Sequence, residues 1–286
     1  MITATCATLA ALLASASPPT AIFVQPGDCP ALVIKQTFAP PVTIYGPGVQ
    51  WNGITISGGG VAISGGKVRS PGGQDGFAAA GYGARLTGQD ITLSGMTFGA
   101  SKKAIVTNGG GNIRILNNRF EGVGEDGVIA SRTIGLEIVG NWFGGFTPYK
   151  TTCTAADGTV TRGLAKRNCV GTWRDGYHSD AIQFRNGVTD VVISGNTVAG
   201  VNQGIGQMDS PTDRPPVRVA IIGNDVAVAD FHSITVGASC IDCSIVGNRI
   251  SNTTTNRTVY RFGPSTTACG NTAAYLGTAG LEACKP

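Results

Sequence analysis

Apolar residues recur at alternate positions in short blocks, and each block breaks at a Gly or Asn before one further apolar residue. From Ile91 onward the blocks align as Ile91-Thr-Leu-Ser-Gly-Met-Thr-Phe98, Ile113-Arg-Ile-Leu-Asn-Asn-Arg-Phe120, Leu136-Glu-Ile-Val-Gly-Asn-Trp-Phe143, Val191-Val-Ile-Ser-Gly-Asn-Thr-Val198, Val219-Ala-Ile-Ile-Gly-Asn-Asp-Val226 and Cys243-Ser-Ile-Val-Gly-Asn-Arg-Ile250. A period of two is the signature of a strand with one buried face. The copies start 22, 23, 55, 28 and 24 residues apart, a spacing that fits one solenoid coil per repeat with one enlarged coil. A strand, an Asn turn and a second strand per coil, stacked in register, describe a parallel β-helix. Asn117 or Asn118, Asn141, Asn196, Asn224 and Asn248 would then stack as a ladder of side-chain amides that satisfies buried turn backbone.

Ahead of the repeats, Ala21-Ile-Phe-Val24 and Ala31-Leu-Val-Ile34 read as short strands separated by the turn Pro26-Gly27-Asp28. The run Cys6-Ala-Thr-Leu-Ala-Ala-Leu-Leu-Ala-Ser-Ala16 has no basic residue before it and holds a Cys. It is expected to be a short helix capping the fold, so an export signal would precede residue 1. The expected organisation is a single all-β domain over 1–286, with an N-terminal cap at 1–22, an inserted flap at 144–177 and a C-terminal cap or tail at 251–286. The flap is the insertion that stretches one interval between copies to 55 residues; it lacks apolar periodicity and carries Lys150, Lys166, Arg167, Trp173 and Arg174. Long excursions of this kind commonly wall a functional site.

A second set of segments aligns on a central apolar residue: Asp75-Gly-Phe77, Lys103-Ala-Ile105, Asp126-Gly-Val128, Asp180-Ala-Ile182, Gln203-Gly-Ile205 and His232-Ser-Ile234. With coils about 4.8 Å apart, Asp75, Lys103, Asp126, Asp180, Gln203 and His232 should form one column. Ala104, Gly127, Ala181, Gly204 and Ser233 are expected to face outward and leave it shallow. Such a trough suits a long hydroxylated ligand better than a compact metabolite. On the strand after Asp180, Ile182 and Phe184 would fill the core while Gln183 and Arg185 project onto the trough.

Composition narrows the classes. Gly makes up 43 of 286 residues and charged residues only 13%, which favours many tight turns over helical bundles. The net charge of +4 is mild and its bases are scattered, so a nucleic-acid footprint is missing. Apart from the expected cap, the chain has no apolar run approaching a membrane span. Eight Cys suggest disulfides and a secreted or periplasmic location. Cys6 with Cys29 and Cys153 with Cys169 are plausible local pairs, and the connectivity of Cys240, Cys243, Cys269 and Cys284 stays open.

The coils with their Asn turns, from about Phe23 to Ile250, together with the string His178-Ser-Asp-Ala-Ile-Gln183, resemble the right-handed parallel β-helix superfamily of carbohydrate-active proteins, the pectin-lyase-like fold. That superfamily includes polysaccharide lyases, uronate C5-epimerases, glycoside hydrolases and phage tailspikes, so the fold does not choose among them. Tyr177-His178-Ser179-Asp180 is similar to lyase and epimerase sites in which a Tyr and a His beside an Asp exchange the C5 proton of a uronate, although here Ser179 stands between the His and the acid.

The first functional expectation is therefore a uronic-acid polysaccharide lyase or related epimerase. His178 or Tyr177 would move the proton, and Arg185, Lys103 or Gln183 would neutralise the carboxylate, with Asp180 and Asp126 beside them. The second is a glycoside hydrolase that uses Asp126 with Asp180, or Asp180 with Asp209, as acid and base. The third is a β-helix that only binds glycan. Gln203, Gln207, Asp209 and Arg174 complete the candidate substrate contacts. No cofactor is required, although Asp126 and Asp180 in adjacent coils make Ca2+ conceivable. The expected partner is a polysaccharide, acidic in the first reading, with no nucleic acid and no membrane, and the protein itself is expected to be a monomer or small homo-oligomer.

Overall fold

The computed structural model describes residues 1–71, 81–146, 152–162, 168–174, 179–208, 210, 212–228, 232–252, 260–273 and 284. Each complete coil sends one strand to each of three parallel sheets of 11, 10 and 9 strands. One coil, for example, runs Gln89–Ser94, Thr97–Phe98 and Ser101–Asn108 before Gly111–Leu116 opens the next. The repeat read from the sequence thus holds three strands per coil rather than two. The residue pair after the Asn turn is itself a short strand, Thr97–Phe98 pairing with Arg119–Phe120.

Register follows the apolar blocks. Ile91 lies beside Ile113, Ile113 beside Leu136, Leu136 beside Val191 and Val191 beside Val219. These residues are at most 1% exposed, so one apolar column runs through the solenoid. A second interior column stacks Phe98 on Phe120 and Phe120 on Phe143, with ring centroids 5.1 and 4.4 Å apart.

The Asn ladder forms as Asn118, Asn141, Asn196, Asn224, Asn248 and, one coil further, Asn271, all at most 2% exposed. Each amide serves two coils. Asn196 Nδ2 donates to Asn224 Oδ1 at 2.9 Å and to Ile138 O at 2.8 Å, while its Oδ1 accepts from the Asn141 backbone N–H at 2.9 Å. Asn117 takes a different place: with φ of +53° it occupies the left-handed turn position held by Gly140, Gly195, Gly223 and Gly247 in other coils, a conformation that Asn tolerates better than most residues.

The helix Cys6–Leu13 closes the N-terminal end. Thr5 and Thr8 form its capping box, Leu9 and Leu13 are buried, and Cys6 is bonded to Cys29. Cys153 pairs with Cys169, as the local spacing suggests, and the open question resolves to Cys240–Cys243 and Cys269–Cys284. Past residue 250, where a terminal cap is expected, Tyr260–Phe262, Thr266–Cys269 and Thr272–Ala273 extend the three sheets. Within the insertion, Thr152–Thr154 pairs antiparallel with Val160–Arg162 and with Thr172–Arg174, so the described part of the flap is a small sheet stapled by Cys153–Cys169.

Candidate active site

The strand Asp180–Arg185 lies between Val123–Ser131 and Gln203–Gln207. Its register sets Lys103 beside Asp126, Asp126 beside Asp180 and Asp180 beside Gln203. His232 continues the row: Ile234 pairs with Ile205, and Gly204 N–H donates to His232 O at 2.9 Å. The column read from sequence therefore exists from Lys103 to His232. At its other end the place beside Lys103 belongs to Tyr82, on the strand Tyr82–Leu86, and Asp75 lies outside the described residues.

The small residues of the row face inward, contrary to the expectation that they floor a trough. Ala104, Ala181 and Ser233 are fully buried. A Cβ at Gly127 would stand 2.8 Å from the Phe143 ring, and one at Gly204 would strike Val226. Only small residues fit because the stacked Phe column and its aliphatic continuation occupy the space opposite.

Ala181 and Ile182 are consecutive and both fully buried, so alternation fails there by one step. Asp180 and Gln183, which an unbroken period of two would set on opposite faces, emerge on the same side. Gln183 Nε2 accordingly donates to Asp180 Oδ2 and, at 3.3 Å, to Asp126 Oδ1.

Both carboxyls are only 2% exposed. Lys103 Nζ stands 3.8 Å from Asp126 Oδ2 and 3.6 Å from Glu125 Oε2, and Lys102 Nζ also lies 3.6 Å from Glu125 Oε2. Burial pushes the Asp126 carboxyl well above the usual carboxylate range, and repulsion from Asp180 and Glu125 adds to the shift against the pull of Lys103. Asp126 thus retains a proton at pH values where an ordinary Asp is ionised.

Arg185 projects outward but is engaged. Its Nε donates to Asp213 Oδ2 at 3.0 Å and its guanidinium Nη2 donates to Ser210 Oγ at 3.0 Å. Gln207 also serves the scaffold: its Nε2 donates to Ser239 Oγ at 2.6 Å, and its Oε1 accepts from Gly237 N–H at 2.8 Å. Gln203 is buried in the row, and Ser179 just before Asp180 donates its N–H and hydroxyl to Asn202 Oδ1, fixing the strand entry. His178, Tyr177 and Asp209 lie outside the described residues. Arg174 ends a flap strand opposite Thr152.

Among the described residues, the donors around Asp126 and Asp180 do not fit Ca2+. The space between Asp126 and Asp180 is spanned by an amide N–H and flanked by an ammonium, where the ion needs oxygens. Among the described residues no three His, Cys, Asp or Glu converge on a metal position. Two groups of this site carried no signal in the sequence pattern. Glu125 stands one residue outside the aligned column, and Asp213 comes from a Pro-rich loop with no periodicity.

No protein-family model matches the chain, and no curated protein sequence matches it. Solved structures do. The Dettilon tailspike protein aligns with a TM-score of 0.57 at 14% identity, covering 94% of this chain and 57% of its own. A pectate lyase, Pel9A, aligns with a TM-score of 0.43 at 13% identity over 92% of this chain and 73% of its own. An alginate lyase from Paenibacillus aligns with a TM-score of 0.36 at 14% identity over 93% and 99%. The chain therefore spans little more than half the length of the tailspike it matches. That likeness together with the three parallel sheets establishes the fold, a right-handed parallel β-helix.

Proposed function

We propose that this protein is a polysaccharide-cleaving β-helix in which Asp126, as acid and then base, and Asp180, as nucleophile, act together on a glycosidic bond. The observation that carries the reading is the pair itself: two carboxyls face each other on adjacent coils, and burial with mutual repulsion keeps Asp126 protonated. A carboxyl that keeps its proton, set beside a second carboxyl, is the equipment of a glycosidase. Adjacent coils about 4.8 Å apart match the close separation of a retaining enzyme better than the wider inverting one.

In this reading a sugar chain lies along the row from Tyr82 to His232, and its scissile linkage takes the place of the Gln183 amide between the carboxyls. Asp126 gives its proton to the glycosidic oxygen as the bond to the anomeric carbon breaks. Asp180 attacks that carbon from the opposite face. Asp126, now ionised, takes a proton from the water that releases the sugar from Asp180. Lys103 beside Asp126 stabilises the carboxylate formed in the first step.

Hydrolysis is preferred over β-elimination because the described cations of the row that would neutralise a uronate carboxylate, Arg185 and Lys103, are matched by acids of the protein. Arg185 is held by Asp213, and Lys103 by Glu125 and Asp126. Four disulfides agree with action in an oxidising, extracellular setting.

The test is digestion of a panel of neutral and acidic polysaccharides, followed by reducing ends and by ultraviolet absorbance. Saturated ends released by the native protein, and reduced by about a hundredfold or more in Asp126→Asn and Asp180→Asn, support hydrolysis. An unsaturated product would assign the reaction to β-elimination through His178 or Tyr177. No turnover on any polymer, with binding retained in the double variant, would leave a glycan-binding module.

A further inference from the structure

Gln183 is the one described side chain that hydrogen-bonds both carboxyls, through a single nitrogen. A carboxamide N–H2 group can only donate, so Asp126 Oδ1 and Asp180 Oδ2 must both present lone pairs to it. Any proton held by the pair then sits on one of the other two oxygens. Nothing in a solenoid requires such a bridge, because backbone pairing alone sets the register of Asp126 with Asp180. The bridge exists because Ala181 and Ile182 both turn inward, which brings Gln183 to the side of Asp180.

We propose that Gln183 is a positioning residue that clips the two carboxyls of the free protein together and fixes how many protons they hold, and that bound glycan displaces this clip. The proposal rests on the acid–base reading of the pair. Two hydrogen bonds donated to carboxylate oxygens favour the ionised form and lower proton affinity. They oppose the burial and repulsion that raise it. Among the described residues, the other charged groups near the pair are Lys102, Lys103 and Glu125 on the strand entries of the two preceding coils. On the following coil Gln203 stands beside Asp180 and carries no charge. On the same strand Arg185 turns to Asp213. Gln183 therefore holds the pair's proton affinity down without adding a charge of its own.

Replacing Gln183 by Leu keeps the bulk and removes both donated bonds, and Gln183→Met does the same with an unbranched chain should Leu misfold. Carboxyl titration by 13C NMR of Asp-labelled protein, free of any ligand, reads the pair directly. The midpoints of Asp126 and Asp180 should rise by about one pH unit or more relative to the native protein. The pH profile of kcat/KM, which reports the free enzyme, should move upward with them. The profile of kcat, which reports the complex from which the clip has been displaced, should stay in place. A purely packing role would lower stability and move neither midpoint. Midpoints within a few tenths of a unit of the native values in a folded variant overturn the proposal, as does a kcat profile that shifts equally. If the native protein cleaves no glycan but the midpoints shift as stated, the clip stands and the glycosidase reading falls.

Discussion

Arg185 and Asp213, 28 residues apart in the chain, are joined by a donated Nε bond of 3.0 Å and an ion-pair contact of 2.9 Å. The same Asp213 Oδ2 accepts from Ser210 N–H at 2.9 Å. One carboxylate thus ties the loop after Gln207 to the strand that carries Asp180 and Gln183, and the pair acts as a clasp at the edge of the candidate site.

Breaking the clasp should loosen the loop without unfolding the solenoid. The guanidinium is partly exposed, so a double-mutant cycle of Arg185→Gln with Asp213→Asn is expected to give a coupling of about 1 kcal/mol in chemical denaturation. Hydrogen exchange at residues 208–216 should accelerate in either single variant while the Val191–Ile193 amides stay protected.

The shifted carboxyl makes stability depend on pH with a definite sign. Asp126 binds its proton more tightly folded than unfolded, so its contribution is full below the unfolded value of about 3.9. It is lost as pH rises toward the folded value. Asp126→Asn, which keeps an acceptor for Gln183 and cannot ionise, should therefore lose less stability than the native protein between pH 4 and neutrality. Melting curves of both proteins across that range check it. A native melting temperature that climbs relative to the variant would contradict the assignment of the raised group.

Asn196→Ala removes one rung of the amide ladder. It removes the partner of the Asn141 backbone N–H and of Ile138 O in a dry interior, while Asn224 Oδ1 keeps the backbone N–H of residue 196 and Asn141 Nδ2 keeps Ile115 O. Each buried unsatisfied group costs about 1–3 kcal/mol, and partial repacking should bring the loss to about 3 kcal/mol in urea or guanidinium unfolding. Asn117→Gly, on the outer turn where φ is +53°, should by contrast be neutral or slightly stabilising.

Gly127→Val tests why the row needs small residues. Its Cβ would meet the Phe143 ring at 2.8 Å and Ala181 O at 2.5 Å, a clash with backbone that no rotamer relieves. A loss of at least about 3 kcal/mol, or no soluble protein, is expected. Gly145→Ala, with open space around its Cβ but a φ of +58°, should cost only about 1 kcal/mol.

Uncoupling the cap by Cys6→Ser with Cys29→Ser should lower stability by about 3 kcal/mol through the freed 23-residue loop. Thermal unfolding under non-reducing conditions measures it.

Much of this architecture is legible in the chain. Alternation from Ile91 to Ile250 dictates buried strands, the Gly-Asn pairs dictate turns, and the spacing dictates coils, because a stack of parallel strands can bury its apolar face only in register. The row Lys103, Asp126, Asp180, Gln203 and His232 follows from the same logic, as does the capping helix with Cys6 bonded to Cys29. A third strand per coil escaped because two residues, such as Thr97 and Phe98, are too few to show a period.

The chemistry of the row was decided elsewhere. Alternation cannot reveal that Ala181 and Ile182 are both fully buried, because a period of two places consecutive residues on opposite faces. Without that break in alternation, Gln183 could not reach Asp180 and Asp126. Nor can a sequence tell which cation is already matched: Arg185 finds Asp213 through a loop that has no periodicity, and Lys103 is shared between Glu125 and Asp126. Local pattern fixes where a backbone goes because hydrogen-bonded strands repeat. Which side chains meet, and what proton they hold, depends on volumes and charges contributed by residues far apart in the chain.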